Sequence, residues 1–329
     1  MAIFTIIISD KKNTGKNEQG FPLVGFLSIY FKPTQINILH VSDLQNTSHI
    51  TTKYLFIIIP TSLKPTQLKN ISYEKVFLAD YGDGTEPCWY YTDINEVLKI
   101  TNTYFKTSRI KKNKYDLDIK LLPLKLRPIS VKRYGILPPK TLEKRKFDIN
   151  FIGAPTYLEK QNKKYNQRIE WLREVSSKYK FYGGLINSAA FPKERLEKEF
   201  GNMNNIYFNR KYPLSHFAFF QTLHNSKIAL VPTGHSRWTY RHYEAICCRC
   251  ALISNDIKGT DLLIPLPTEN MPIVSDHEPI SSYIDNILEN PHINNKIVEK
   301  NFAFINQYLK NGYYCKSRKK TIEKFLDQL

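Results

Sequence analysis

Apolar runs of strand length, separated by polar stretches, recur along the whole chain, and their spacing divides it in two. In the first half they fall at 3–9, 23–31, 36–41, 54–59 and 75–79, each flanked by turn-forming residues, which predicts β-strands. The stretch at 10–19, rich in Lys, Asn and Gly, is predicted to be a loop. One helix is predicted over 94–101, so this half reads as a sheet-containing domain with few clear helices. The second half alternates more regularly. Strands are predicted at 147–152, 179–182, 206–209, 227–232 and 251–254, and helices at 161–178, 193–200 and 213–225. In the last of these helices Leu214, Phe217, Phe220 and Leu223 stand at helical spacing. A helix following Thr239, a candidate N-cap, separates the last two strands. Helices over 280–288 and 292–329 end the sequence. Strand–helix alternation predicts a parallel sheet covered by helices on both faces.

Residues 121–147 interrupt both patterns. The segment is basic and rich in proline, which removes backbone donors and blocks helix, so it is predicted to be an extended linker. At 329 residues the chain exceeds a single hydrophobic core, and the boundary is placed near 145, giving domains 1–145 and 146–329. The hydrophobic content of 42% is enough for two cores. The longest apolar runs are far short of a membrane span. A basic segment followed by a long apolar core and a small-residue cleavage site is absent from the N-terminus, so no signal peptide is expected. Three of the five cysteines stand at 247, 248 and 250, which is no secreted disulfide framework; packing in an apolar helix end is expected over a zinc site, since Cys88 and Cys315 stand alone and offer no second ligand pair. The expected setting is reduced and cytoplasmic.

Lys and Arg number 48 against 30 Asp and Glu, a formal net charge of +18. Such a field attracts polyanions: phosphate-bearing small molecules, nucleic acid or the anionic face of a membrane. Lys, Asn and Ile are all abundant, so composition alone accounts for part of this charge.

Chemistry is best sought in the loops after the second-half strands, because ligands of open parallel sheets bind beyond the carboxyl ends of the strands. Those loops hold Gly153, the Gly183-Gly184 pair, Arg210 and Lys211, and the segment 233–241 with Gly234, His235 and Arg237. Arg241 and Glu244 follow, three residues apart and so on one face of a helix. A guanidinium suits a phosphate and a carboxylate suits vicinal hydroxyls, since each bonds in a bidentate manner. Held together, a phosphate and a diol describe the ribose-phosphate part of a nucleotide sugar. In the first half Asp80 and Asp83 follow an apolar strand, where a carboxylate could take a proton from an attacking hydroxyl. Asp-Gly pairs are also common turn residues.

The segment 226–256 resembles the donor-binding half of GT-B glycosyltransferases, and within them the exostosin-type transferases and their bacterial relatives. The matching residues are Ser226, Lys227, Leu230, Pro232, Gly234, Arg241, Glu244, Ala245, Cys250 and Asp256. Arg249 stands where the family pattern has glycine. A weaker likeness extends over 148–290. The resemblance implies two Rossmann-like domains facing across a cleft, with the last helices packing back on the first domain. Residues 1–145 would form the acceptor side and 146–329 the nucleotide-sugar side. The implied reaction moves a sugar from a nucleotide-sugar donor to a glycan or glycolipid acceptor, in cytoplasmic synthesis of a surface polysaccharide, with peripheral contact at an anionic inner membrane face. The nucleotide sugar is a substrate, and no cofactor is expected. No Asp-x-Asp motif stands at a strand end, which favours a metal-independent reaction with the diphosphate charge falling to Arg241, Arg237 or Lys211. Animal exostosins carry a membrane anchor, which is not expected here.

Two rival readings remain. The charge of +18 and 21 tyrosines would suit a nucleic-acid-binding protein, but the basic residues are spread along the chain, so nucleic acid is not an expected partner. Arg249 in place of glycine would suit a homologue that binds sugar nucleotides without catalysis.

Overall fold

The computed structural model describes residues 2–8, 21–59, 63–81, 98–110, 117–123, 139–155, 165–187, 192–209, 214–234, 236–309 and 316–329. They form two compact units, one comprising Met1–Arg127, Gly259–Pro265 and Lys310–Leu329, the other Pro128–Lys258 and Leu266–Leu309.

The first unit contains β1 (Ala2–Ile8), α1 (Phe21–Leu27), β2 (Ile36–His40), β3 (Ile50–Ile59), β4 (Ile71–Asp80), β5 (Thr103–Lys106), β6 (Ser108–Ile110) and β7 (Asp118–Leu121). The second contains β8 (Phe147–Gly153), α2 (Gln167–Ser176), β9 (Phe181–Leu185), α3 (Lys193–Phe200), α4 (His216–His224), β10 (Ser226–Val231), α5 (Arg241–Cys247) and β11 (Ala251–Asn255). The chain then supplies β12 (Thr260–Leu262) to the first unit, β13 (Ile273–Val274), α6 (Ser281–Glu289) and α7 (Pro291–Leu309) to the second, and finally α8 (Lys316–Leu326) to the first.

Six strands of the first unit form a sheet in the order β2-β1-β3-β4-β5-β7, parallel throughout. Both of its faces are buried, which is why its strands read as unbroken apolar runs. Phe4, Ile6, Phe56, Phe77 and Phe105 point to one face with Leu23 and Leu27 of α1 and Phe325 of α8. Ile7, Leu55, Ile57 and Leu78, one residue out of step, point to the other. The Phe325 ring lies 5.6 Å from Phe105 and 5.4 Å from Phe26, so of the C-terminal helices expected on the first domain α8 packs there, while α6 and α7 belong to the second unit. Gln328 secures the sheet edge: its side chain accepts from Leu121 N–H at 2.8 Å and donates to Leu121 O at 3.2 Å. A lone edge strand would leave those groups open to another chain.

The second unit's sheet runs β13-β11-β10-β8-β9, also parallel. Alternate residues Ile149 and Phe151, Ile228 and Leu230, and Ile253 form one core with Ile169, Leu172 and Val175 of α2 and Ile284 and Ile287 of α6. Asn166 caps α2 by accepting from the N–H groups of Arg168 and Ile169.

Several boundaries differ from the sequence reading. The run 23–31 is helix α1 rather than a strand. Pro22 fits a first turn, and Leu23 and Leu27, four apart and both fully buried, set a helical face. The strand predicted at 206–209 reduces to one parallel bridge, Leu185 to Tyr207. There the Gly183-Gly184 pair serves the sheet. Both have positive φ, 128° and 140°, and a Cβ would collide with the carbonyls of Phe151 and Ile206 respectively. The second unit begins before 145, because Leu142 is buried in its core and Arg145 donates to Ser226 O (2.8 Å) and Cys248 O (3.2 Å). The first half of the helix predicted over 94–101, the start of that over 161–178 and most of the linker lie outside the described residues.

Candidate functional site

Strand order locates the site. From β8 the chain moves outward to β9, whereas from β10 it moves the other way to β11 and β13, so the topological switch point lies between β8 and β10. The loops leaving their carboxyl ends carry Gly153 and Gly234, and a guanidinium faces each. A Cβ on Gly153 would come within 3.1 Å of Arg241 Nη2, and one on Gly234 would collide with the guanidinium of Arg168. Arg241 donates to Ile152 O, and Arg168 donates to Ala154 O and, through Nε, to Thr233 O at 2.9 Å. Both stand over the Phe151 ring, with the Arg241 guanidinium carbon 4.6 Å and that of Arg168 5.7 Å from its centre. Burial pushes the Arg241 pKa down and Glu244 pulls it back up. It stays cationic, as guanidinium groups in proteins do. Its Nε is buried without a partner among the described residues. Two cations and two glycines at a switch point suit an anion that approaches the backbone closely.

The rest of the loop is anchored. Arg237 donates to Asp256 O at 3.0 Å and pairs with Asp276 at 3.2 Å, joining the loop to the segments that follow β11 and β13. Trp238 and Tyr243 are fully buried with ring centres 6.1 Å apart. The N-cap of α5 is Tyr240, not Thr239. Thr239 instead accepts at its carbonyl from His242 N–H (3.2 Å), and the His242 ring lies 2.9 Å from the same oxygen. The other His242 nitrogen meets the Ser254 hydroxyl at 2.9 Å, tying α5 to β11. Burial lowers the pKa of this ring to about 4. Glu244 sits in the first turn of α5, half-buried.

Arg249 answers the question its position raised. It adopts the φ of 54° for which glycine is usual. Its N–H bonds to Ile246 O (2.9 Å) and that of Cys250 to Ala245 O (3.0 Å), the paired bonds of a Schellman end. The side chain pairs with Glu299 at 2.9 Å and lies 3.6 Å from the Phe302 ring centre, both on α7. The turn required by the motif is therefore present without its glycine. Cys247, Cys248 and Cys250 are buried free thiols whose pKa values burial raises, that of Cys247 to about 12.

In the first unit Asp80 ends β4, as predicted. Its Oδ2 accepts from Lys106 Nζ at 2.7 Å and from the Tyr104 hydroxyl at 2.9 Å, and Lys106 is 1% exposed. Asp83, Arg210, Lys211 and His235 lie outside the described residues. Of the residues singled out in the sequence, Gly153, Gly234, Arg237, Arg241 and Glu244 belong to the loops and helix at the switch point. Thr233 opens the loop singled out in the sequence, whereas Arg168, Gln167 and Asn255 were missed. Arg168 and Gln167 open a helix remote in sequence from the motif, and only the fold brings them to it. A cavity of about 650 Å³ beside α2, lined by Tyr165, Trp171, His277 and three glutamates, holds none of the predicted residues. Two of its carboxylates are structural: Glu174 accepts from the N–H groups of Ile280 and Ser281, and Glu278 from Ser275 N–H and the Tyr283 hydroxyl.

Two parallel, doubly wound α/β units, the second with its switch point facing glycine-containing loops, define a fold of two Rossmann-like domains of the GT-B type. Solved structures share it. A glycosyltransferase from Rickettsia africae aligns over 100% of this chain and 98% of its own with a TM-score of 0.56 and 12% identity. The Anabaena protein HepE, in complex with UDP and glucose, aligns over 99% and 100% with a TM-score of 0.55 and 9% identity. The N-terminal domain of Candida albicans trehalose-6-phosphate phosphatase aligns over 99% and 97% with a TM-score of 0.56 and 10% identity. No protein-family model and no curated protein matches the sequence. Among the described residues no helix is long and apolar enough to cross a membrane.

Proposed function

We propose that the chain is a glycosyltransferase that moves a sugar from a nucleotide-sugar donor to a hydroxyl of a glycan or glycolipid. The observation that carries this reading is the convergence of Arg168 and Arg241 on the glycine-lined carboxyl ends of β8 and β10. A diphosphate seated there meets two guanidiniums in a largely enclosed setting, and the same charges stabilise the nucleoside diphosphate as it leaves. This makes a metal-independent transfer economical in its parts. Glu244 receives the ribose hydroxyls, and Arg237 keeps the loop in place through Asp276. Arg210, Lys211 and His235 complete the donor set in this proposal. Asp80 is engaged by Lys106 and Tyr104, so we assign it to holding the end of β4 and assign the base to Asp83. The likeness of fold to a Rickettsia glycosyltransferase and to HepE with UDP and glucose supports the reading, as do the exostosin-like residues of 226–256. A role in surface polysaccharide synthesis at the cytoplasmic membrane face accords with the net charge of +18.

The test is release of nucleoside diphosphate from a panel of sugar nucleotides. Turnover is expected with at least one donor, and Glu244→Ala is expected to weaken donor binding about tenfold, the worth of a charge-assisted hydrogen bond. A folded Glu244→Ala chain with unchanged affinity and turnover would remove the central assignment.

A further inference from the structure

Orphaned buried polar atoms gather at the switch point. Thr233, two residues beyond β10, is held from three sides. Gln167 Oε1 accepts its N–H at 2.7 Å, Asn255 Nδ2 donates to its hydroxyl at 2.9 Å, and Arg168 Nε donates to its carbonyl at 2.9 Å. Each amide uses one end on Thr233 and leaves the other unmet: Gln167 Nε2 and Asn255 Oδ1 have no partner among the described residues. Gln167 is 4% and Asn255 0% exposed. A buried amide end without a partner costs about 1–3 kcal/mol. Two such ends flanking one residue call for a partner that can meet both, a bound water or a ligand group.

The chemistry of the ends selects the ligand group. One is a donor and the other an acceptor. An anion would satisfy only Gln167 and an ammonium only Asn255, whereas an alcohol hydroxyl accepts and donates at once. The phosphate-binding cations lie beside it, since Arg168 bonds the same Thr233. Resting on the donor reading above, we propose that Gln167 and Asn255 are specificity-determining residues that read one hydroxyl of the nucleotide sugar. Gln167 Nε2–H donates to its oxygen and Asn255 Oδ1 accepts its proton. Both atoms are enclosed, so binding is coupled to a shift of the loop that carries Thr233. A site that hydrogen-bonds a substrate hydroxyl rejects the analogue lacking it, because its own polar groups are then left unpaired.

The hydroxyl belongs either to the ribose or to the transferred sugar, and titration calorimetry with UDP, UDP-glucose and 2′,3′-dideoxy-UDP separates the two. Wild type is expected to prefer UDP over the dideoxy compound about tenfold if the ribose is read, or UDP-glucose over UDP about tenfold if the sugar is read. In Gln167→Leu and Asn255→Leu that preference collapses. Preferences are ratios, so a general loss of affinity does not mimic the effect. Should one leucine variant fail to fold, the other decides. Binding without either preference in wild type, or a preference that survives in a folded leucine variant, overturns this inference alone. A wild-type chain that binds none of the three overturns this inference, and the donor reading falls with it only where the whole panel of sugar nucleotides is silent as well.

Discussion

At the scale of single residues, two positions carry unusual chemistry for structural reasons. Arg249 holds a left-handed conformation that costs an ordinary side chain roughly 1 kcal/mol, and its guanidinium offsets this through Glu299 and the Phe302 ring. Alanine keeps the strained φ and loses both contacts, whereas glycine loses the contacts and the strain together. Arg249→Ala is therefore expected to destabilise the chain by about 1–2 kcal/mol and Arg249→Gly by less, in denaturant unfolding. Equal losses would mean that φ is not what this position pays attention to. Asp80 and Lys106 form a buried ion pair, and removing one member strands the other. Asp80→Ala should cost about 3 kcal/mol or more, while the double change Asp80→Leu with Lys106→Met should recover most of it. A double variant as unstable as the single one would show that the pair is not the source of the loss.

At the scale of elements, what the sequence revealed depended on whether local pattern alone decided the outcome. The strand–loop–helix–strand of the motif was legible because its apolar runs, turn residues and helix all lie within 226–256. Helix α1 was not, since a short apolar run has no period that separates strand from buried helix, and only packing of Leu23 and Leu27 against the sheet settles it. Arg168 and Gln167 were invisible for another reason. They precede Thr233 by more than sixty positions and meet it only through the parallel sheet. His242 was passed over as well, although it sits inside the motif and is the bond between α5 and β11. Its pKa falls to about 4 in the folded chain from an ordinary 6.5. A depressed histidine contributes stability that is complete above pH 6.5 and lost as pH falls toward 4, because the unfolded state takes up the proton first. The loss amounts to roughly 3 kcal/mol. Unfolding measured at pH 7 and again near pH 4.5 should show a smaller drop in His242→Gln than in wild type, and identical drops would show that this ring does not carry the dependence.

For the molecule as a whole, the chain builds two cores from discontinuous pieces, and this separates stability from ligand binding. Every described residue assigned here to the donor belongs to the second unit, yet the chain returns afterwards to place α8 in the first. Phe325 is fully buried there, with its ring 5.6 Å from Phe105, 6.2 Å from Phe56 and 5.4 Å from Phe26. Truncating an aromatic side chain in such a core costs about 3–5 kcal/mol, the transfer of the ring plus the cavity it leaves. The two units have separate hydrophobic clusters, so Phe325→Ala should lower the unfolding transition of the first unit and leave the second near its wild-type midpoint. Added UDP, by mass action, should then raise only the higher transition. Calorimetry of wild type and variant, each with and without the nucleotide, measures both effects in one experiment. A single transition that moves as one with the mutation and with UDP would mean that the two cores unfold as a unit, and that stability and donor binding are coupled throughout the chain.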